Sequence, residues 1–273
     1  MNNQSLSTGE ITLSIIIVSF NSESFIEKCI SSVLKNIPKD AEVIVLDNAS
    51  SDTTVAKLKK FSTKIKLIES GENLGFSSGN NKALTQAEGE YIFFLNPDTE
   101  VNFTIFGDLI SFYKETPYAG IIGPKLVMPD GKIQESVKNL PTIAGAIKEF
   151  VFGINHAYTQ YVPKGNQPIE VESMYGAAML IKRLLFEEVG GFDEKFFLYY
   201  EDMDLCRRVR NLGKKVYYYP KAEVTHLVGA TKSSQNRYGL NRESFWKYHG
   251  PIEGILLQLI FLLPRLKRRL MGI

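Results

Sequence analysis

Leu13–Phe20 reads LSIIIVSF, a short run rich in β-branched residues. It lacks the strict alternation of a strand with one wet face, so it reads as a strand buried on both faces. Working outward, Ser22–Lys35 places Phe25, Ile26, Cys29, Ile30, Val33 and Leu34 at helical spacing. Ala41–Leu46 (AEVIVL) reads as a second buried strand, Asp52–Phe61 as a helix and Ile65–Glu69 as a third strand. Gly79–Ala87 reads as a helix and Tyr91–Leu95 (YIFFL) as a fourth strand. Strands alternating with helices predict an α/β fold with a mostly parallel, doubly wound central sheet flanked by helices. Such sheets take ligands beyond the carboxyl ends of their strands. Asn21, Asp47-Asn48 and Asn96-Pro97-Asp98 are the polar groups that follow those runs.

The second half is less regular. Gly123–Lys132 and Gln167–Leu180 read as strands and loops, and Gly190-Gly191-Phe192-Asp193 as a turn. Asp202–Leu212 reads as a helix with Leu205, Val209 and Leu212 on one face, and Lys214–Tyr219 as a short strand. No internal repeat or low-complexity segment is present.

The 273 residues are 44% hydrophobic and 23% charged, as in a chain that buries a real core. A net charge of +2 gives no bulk attraction to nucleic acid. The two cysteines, Cys29 and Cys206, form no CxxC pair, which suits a reduced, cytosolic setting better than a disulfide scaffold. Met1–Glu10 is polar, so no secretory signal is expected there. No apolar run reaches the roughly 20 residues of a spanning helix.

Five groups of residues suit chemistry. Asp98 ends a strand, where a carboxylate can hold a hard divalent cation; it is equally a turn aspartate after Pro97. Asp47 can accept an N–H from a pyrimidine ring, or be a cap or turn residue, since Asp47, Asn48, Ser50, Ser51 and Asp52 all favour caps. Glu201-Asp202 lies between an aromatic run (Phe196, Phe197, Tyr199, Tyr200) and a helix. A carboxylate there can act as a base with a raised pKa, or serve as a cap. His226 can complete a metal site with Asp98 or donate to phosphate, or be structural. Asn73-Leu74-Gly75-Phe76 and Gly79-Asn80-Asn81 form a glycine-rich turn entering a helix, which suits an anionic ligand. Neither a GxGxxG fingerprint nor a P-loop occurs, which argues against dehydrogenases and P-loop NTPases.

Taken together, SIIIVSFNS, VIVLDNASSD, NLGFSSGNN, FFLNPDT and GGFDEKFFLYYEDMDLCRR followed by VTHLVGAT resemble family-2 inverting glycosyltransferases of the Rossmann-like GT-A fold. The likeness runs from about Ser14 to about Gly229 and is nearest to the rhamnosyltransferase-like branch. It implies that Asp47 contacts the pyrimidine, with Phe20 and Asn21 lining the base pocket. Asn73, Asn80 and Asn96 would help bind the nucleotide. Asn96-Pro97-Asp98 takes the place of the family's DxD motif, with Asn departing at its first position and Asp98 holding Mg²⁺ or Mn²⁺. His226 would join the metal or the diphosphate, and Arg242 would approach the diphosphate. Asp202 would be the base, beside Glu201, with Gly176, Ala177 and Tyr200 in the sugar and acceptor pocket.

The implied donor is dTDP-rhamnose, with UDP-galactose, UDP-GlcNAc or UDP-galactofuranose as alternatives, and the implied acceptor is a cell-surface or lipid-linked glycan. A nucleotidyltransferase would need a basic triphosphate loop, and Ser19–Glu23 has no Lys or Arg. A non-catalytic glycan-binding scaffold is the reading from another class. The expected division is a transferase domain over 1–230 and a helical extension over 231–273. In the extension, Ile255–Leu263 (ILLQLIFLL) is apolar and Pro264–Leu270 is basic. That pattern suits a helix lying in an anionic bilayer interface, or one docked on the domain or on a second copy in a homodimer. A cytoplasmic protein held peripherally at the inner face of the plasma membrane is the resulting expectation.

Overall fold

The computed structural model describes residues 11–227 and 237–271, with side chains for 11–227 and 239–264. Strand β1 (Leu13–Ser19) lies at the centre, flanked by β2 (Ala41–Asp47) and β4 (Tyr91–Leu95). It pairs in parallel with both, Ser19 level with Asp47 and Ile17 level with Leu95. Its side chains fall on two faces. Ile15 and Ile17 pack with Ile26, Ile30 and Val33 of α1 (Ile26–Asn36). Ile16 packs on the other side with Ile44, Ala83 and Phe94. Full burial of each such side chain stabilises by about 1.5–3 kcal/mol. That is why the run carries so little alternation.

The sheet grows outward from this centre. Helix α2 (Thr54–Lys59) leads to edge strand β3 (Lys66–Glu69), and α3 (Gly75–Leu84) leads to β4. Beyond β4 come β5 (Thr99–Val101), α4 (Ile105–Glu115), β6 (Ala119–Val127), β7 (Val137–Lys138) and α5 (Ile143–Phe150). Then follow β8 (Gln160–Tyr161), β9 (Ile169–Val171), β10 (Ser173–Met174), β11 (Ala178–Lys182), α6 (Arg183–Glu188), α7 (Glu201–Asn211), β12 (Lys215–His226) and α8 (Arg237–Met271). The strand order is β3-β2-β1-β4-β11-β6-β12-β5, with β9 also on β12; β10-β7-β8 form a small second sheet. β3, β2, β1, β4, β6 and β12 run the same way, and β11, β5 and β9 run against them. The sheet is thus mostly parallel, as expected, with one reversed strand inserted beside β4.

Several boundaries differ from the sequence reading. The first helix starts at Ile26, not Ser22; residues 22–25 form a turn closed by the Phe25 N–H on Ser22 O (3.1 Å), and Phe25 has a non-helical φ of −138°. Ser22 donates to Thr54 Oγ1 (2.7 Å) and Glu23 to Asp52 Oδ2 (3.1 Å). Helix α3 starts at Gly75, four residues before the expected start, so most of the glycine-rich stretch is itself helical. Helices α4, α5 and α6 lie where the sequence analysis places no element. β12 runs on to His226, well past Tyr219.

Helix α8 breaks at Gly250 (φ 69°, ψ 177°), just before Pro251. Proline cannot donate to the preceding turn, and glycine supplies the positive φ. Past the break, Leu257 and Phe261 face inward; Phe261 meets Phe150 of α5 at 5.2 Å and Tyr158 at 5.4 Å between ring centroids. Ile252, Ile255, Leu256, Leu259, Leu262 and Leu263 stay exposed. Only part of the apolar run therefore docks on the rest of the chain. The basic side chains after Pro264 lie outside the described ones. Among the described residues, no helix is long and apolar enough to cross a membrane.

Candidate active site

At the ends of β1 and β2, the Asp47 carboxylate is buried and organises its own turn. Its Oδ1 accepts from the hydroxyls of Ser50 (2.5 Å) and Ser19 (3.2 Å), and its Oδ2 from the Ser50 N–H (2.8 Å). Asn21 sits at φ 46° beside Phe20; its N–H donates to Ser50 Oγ (2.9 Å), and its Oδ1 accepts from the Ser51 N–H (2.8 Å). Asn48 was not among the expected nucleotide residues. Its amide donates to Gly75 O (2.8 Å), and its Oδ1 accepts from the Leu74 N–H (3.2 Å). Asn73 Oδ1 accepts from the Gly75 N–H (3.0 Å), and Asn80 donates to Phe76 O (2.9 Å). The structure thus gathers Phe20, Asn21, Asp47 and Asn73 at one cluster of strand ends. It also shows their polar atoms holding the loops.

Gly75 joins this cluster to the second half of the chain. Its φ is +77°, and a Cβ built there would lie 2.5 Å from the Phe197 carbonyl oxygen. The neighbouring Phe76 N–H donates to that same oxygen at 2.7 Å. The aromatic run ahead of Glu201 is therefore pinned against the Asn73–Phe76 loop.

The turn after β4 carries Asp98. β5 returns to pair antiparallel with the end of β12, Thr99 level with His226, and this sets the histidine beside the aspartate. His226 Nε2 lies 3.4 Å from Asp98 Oδ1, and both residues are buried. The other ring nitrogen, Nδ1, lies 2.7 Å from Gln134 Oε1. One carboxylate oxygen and one imidazole nitrogen thus face one another. A divalent cation between one oxygen and one imidazole nitrogen satisfies both, so these residues fit a metal. Gln134 was missed from sequence; an isolated polar residue in a loop carries no pattern. Among the described residues, no group of three or more His, Cys, Asp or Glu side chains gathers as a complete metal cage.

The residues leading into β11 connect this turn to the carboxylates of α7. The Asn96 N–H donates to Ala177 O (2.9 Å), and the next residue back, Gly176, donates its N–H to Asp202 Oδ2 (3.0 Å). Asp202 Oδ1 accepts the Met203 N–H at 2.7 Å. Asn96, Ala177, Gly176 and Asp202 thus form one hydrogen-bonded line. Asp202 is half-buried, and burial raises its pKa above the ordinary aspartate value. The two N–H donors and the Lys138 ammonium act the other way. Glu201 is more deeply buried, its Oε2 has no hydrogen-bond partner, and burial and the Asp202 charge push its pKa well up. Tyr199 and Tyr200, both at φ 72°, precede this pair. Adjacent non-glycine residues at positive φ store strain, of the kind found where a fold must aim particular side chains.

Lys138 was also missed, since β7 is only two residues long. Burial lowers its pKa against the pull of Asp202 and Glu149. Arg242 lines a cavity with Tyr158, Tyr200 and Trp246.

Comparison with known proteins shows the family and the fold. The model of glycosyl transferase family 2 matches residues 14–190, and that of the N-terminal domain of galactosyltransferase matches 157–230. N-acetylglucosaminyl-diphospho-decaprenol L-rhamnosyltransferase of Mycobacterium tuberculosis is 28% identical over 231 residues, 78% of this chain and 75% of that protein. Rhamnosyltransferase WbbL of Escherichia coli K12 is 31% identical over 230 residues, 78% of this chain and 83% of that protein. The solved structure of GalNAc-T7 with UDP, GalNAc and Mn²⁺ superposes with a TM-score of 0.65 at 16% identity, over 85% of this chain. This chain spans about half of that one, 49%.

Proposed function

Because the chain belongs to glycosyltransferase family 2 and is a glycosyltransferase, we propose that it transfers L-rhamnose from dTDP-rhamnose, with inversion, to a lipid-linked or cell-surface glycan. The observation that carries the reading is the line from Asn96 through Ala177 and Gly176 to Asp202. It holds a carboxylate of raised basicity in fixed register with the turn that bears Asp98. The names of the two relatives support the rhamnosyl donor and, for the mycobacterial protein, a saccharide on a diphospho-lipid.

In this reading Phe20, Asn21, Asp47, Asn73 and Asn80 hold the nucleotide end. Asp98 and His226 would hold Mg²⁺ or Mn²⁺, which when bound offsets the charge developing on the leaving diphosphate. GalNAc-T7 was solved with Mn²⁺, which is in keeping with that donor pair. Asp202 takes the acceptor hydroxyl's proton as that oxygen attacks the anomeric carbon. The Gly176 and Met203 N–H groups fix its orientation, and burial keeps its basicity above that of a free aspartate. Glu201, buried without a partner for Oε2 and beside the Asp202 charge, is the member of the pair whose ionisation is more strongly opposed.

A second reading, a UDP-sugar donor, is favoured by the galactosyltransferase model over 157–230. The test is a transfer assay with dTDP-rhamnose and UDP-sugars in parallel, with the anomeric configuration of the product read by NMR. Inverted product from dTDP-rhamnose supports the proposal. Turnover only with a UDP-sugar selects the second reading, and retained configuration removes Asp202 from its role.

The extension, 231–273, is the part of the chain we assign to the membrane. Its exposed Ile252, Ile255, Leu256, Leu259, Leu262 and Leu263, followed in sequence by Arg265, Lys267, Arg268 and Arg269, suit a peripheral contact with anionic lipid at the cytoplasmic face.

A further inference from the structure

Trp246 is the chain's single tryptophan. It lines a cavity of about 380 Å³ together with Tyr158, Tyr200, Phe261, Arg242 and Gln258. That volume falls in the range of small-ligand sites. The lining is unusual for a dry core. Five aromatic rings, Phe245 among them, supply flat apolar walls, and a guanidinium and two amides, Asn241 and Gln258, supply donors and acceptors. The Tyr158 hydroxyl is buried without a hydrogen-bond partner, although buried hydroxyls nearly always find one. A pyranose matches such a lining. Its C–H faces lie against aromatic rings, and its rim of hydroxyls takes up polar partners.

The cavity is tied to the carboxylates at two points. Tyr200, one of its walls, immediately precedes Glu201-Asp202 and is held at φ 72°. Lys138 Nζ lies 4.9 Å from the ring centroid of Tyr158, and Lys138 is also the cation that acts on Asp202. Asp202 is thus linked to the metal-fitting turn through Gly176 and to the cavity through Tyr200 and Lys138.

We propose that this cavity is the acceptor subsite, that its occupant is a sugar carrying a phosphate, and that Arg242 receives the phosphate. The proposal rests on the transferase reading above and adds the place and chemistry of the acceptor. It also moves Arg242 from the donor's diphosphate, where the sequence set it, to the acceptor's phosphate.

Trp246 reports on the cavity without any turnover. The experiment titrates the full chain with N-acetylglucosamine 1-phosphate, N-acetylglucosamine and inorganic phosphate, following tryptophan fluorescence. The same titrations are repeated on Arg242→Gln. We expect a saturable change with the sugar phosphate, weaker binding of the free sugar, and no response to inorganic phosphate. Arg242→Gln should weaken the sugar phosphate roughly tenfold and leave the free sugar nearly unchanged. A response to inorganic phosphate equal to that of the sugar phosphate would make the cavity an anion site and overturn the proposal. Silence of Trp246 toward both sugars also overturns it. Calorimetry with dTDP and UDP on the same protein separates the two levels. A protein that binds nucleotide but shows no tryptophan response loses the cavity assignment only. Loss of nucleotide binding strikes the transferase reading instead.

Discussion

Gly176 donates its backbone N–H to Asp202 Oδ2 at 3.0 Å, across 26 residues of chain. A main-chain donor on the stretch leading into β11 therefore sets where the α7 carboxylate points. Asp202→Asn preserves size and can keep one acceptor oxygen for that N–H, but it cannot take a proton. Turnover should fall by about 10²–10⁴-fold, with nucleotide affinity within about twofold of wild type. Initial rates and calorimetry on the same preparation check this; near-normal turnover removes Asp202 as the base.

Glu201 predicts a stability effect of the opposite sign to most core substitutions. Its carboxyl pKa is raised in the folded state, so the folded protein resists its ionisation. The sign follows from linkage: its stabilising contribution is complete below the ordinary carboxylate pKa and is lost as pH rises through the folded-state pKa. Glu201→Gln removes that loss. The variant should be more stable than wild type at pH 8, by about 1 kcal/mol or more, and the difference should shrink toward pH 4. Urea midpoints across that pH range measure it.

Gly75 has no room for a side chain. Its φ of +77° and the 2.5 Å approach of a built Cβ to Phe197 O both penalise Gly75→Ala. We expect a loss of roughly 1–3 kcal/mol together with weaker nucleotide binding, because the Asn73 loop and the Phe197 segment must separate. Thermal unfolding and calorimetry check the two parts.

The outer face of α8 predicts a lipid effect without a folding effect. Ile255 and Leu259 are 55% and 56% exposed, so Ile255→Glu with Leu259→Glu should leave Tm nearly unchanged. Co-sedimentation with anionic phosphatidylglycerol vesicles should fall about tenfold or more. Equal sedimentation of the double variant would remove this face from the membrane.

The half of the fold around β1 was legible because burial on both faces writes a continuous apolar run. Leu13–Ser19, Ala41–Asp47 and Tyr91–Leu95 lie within a residue of where the sequence sets them. The pairing of Asp98 with His226 stood in the sequence as one of several roles for the histidine, and the family likeness favoured it; periodicity could not, since it depends on β5 returning to pair with β12 across more than 100 residues. Gln134 and Lys138 were not legible, because each owes its role to a loop or a two-residue strand with no periodicity. Helix α4 was missed although Ile105, Phe106, Leu109 and Tyr113 share its buried face. The reading of Asp47 as a cap describes its contacts: both oxygens serve Ser19 and Ser50.

The central claim is that the strand ends hold a pyrimidine nucleotide through a cation shared by Asp98 and His226. The most direct test is calorimetric titration of dTDP, UDP, GDP and CMP with and without Mn²⁺, on wild type and on Asp98→Ala. The account predicts binding of dTDP or UDP that strengthens at least tenfold with Mn²⁺ in wild type, and loss of that gain in Asp98→Ala. Folded wild-type protein that binds none of the four, with or without Mn²⁺, would contradict it.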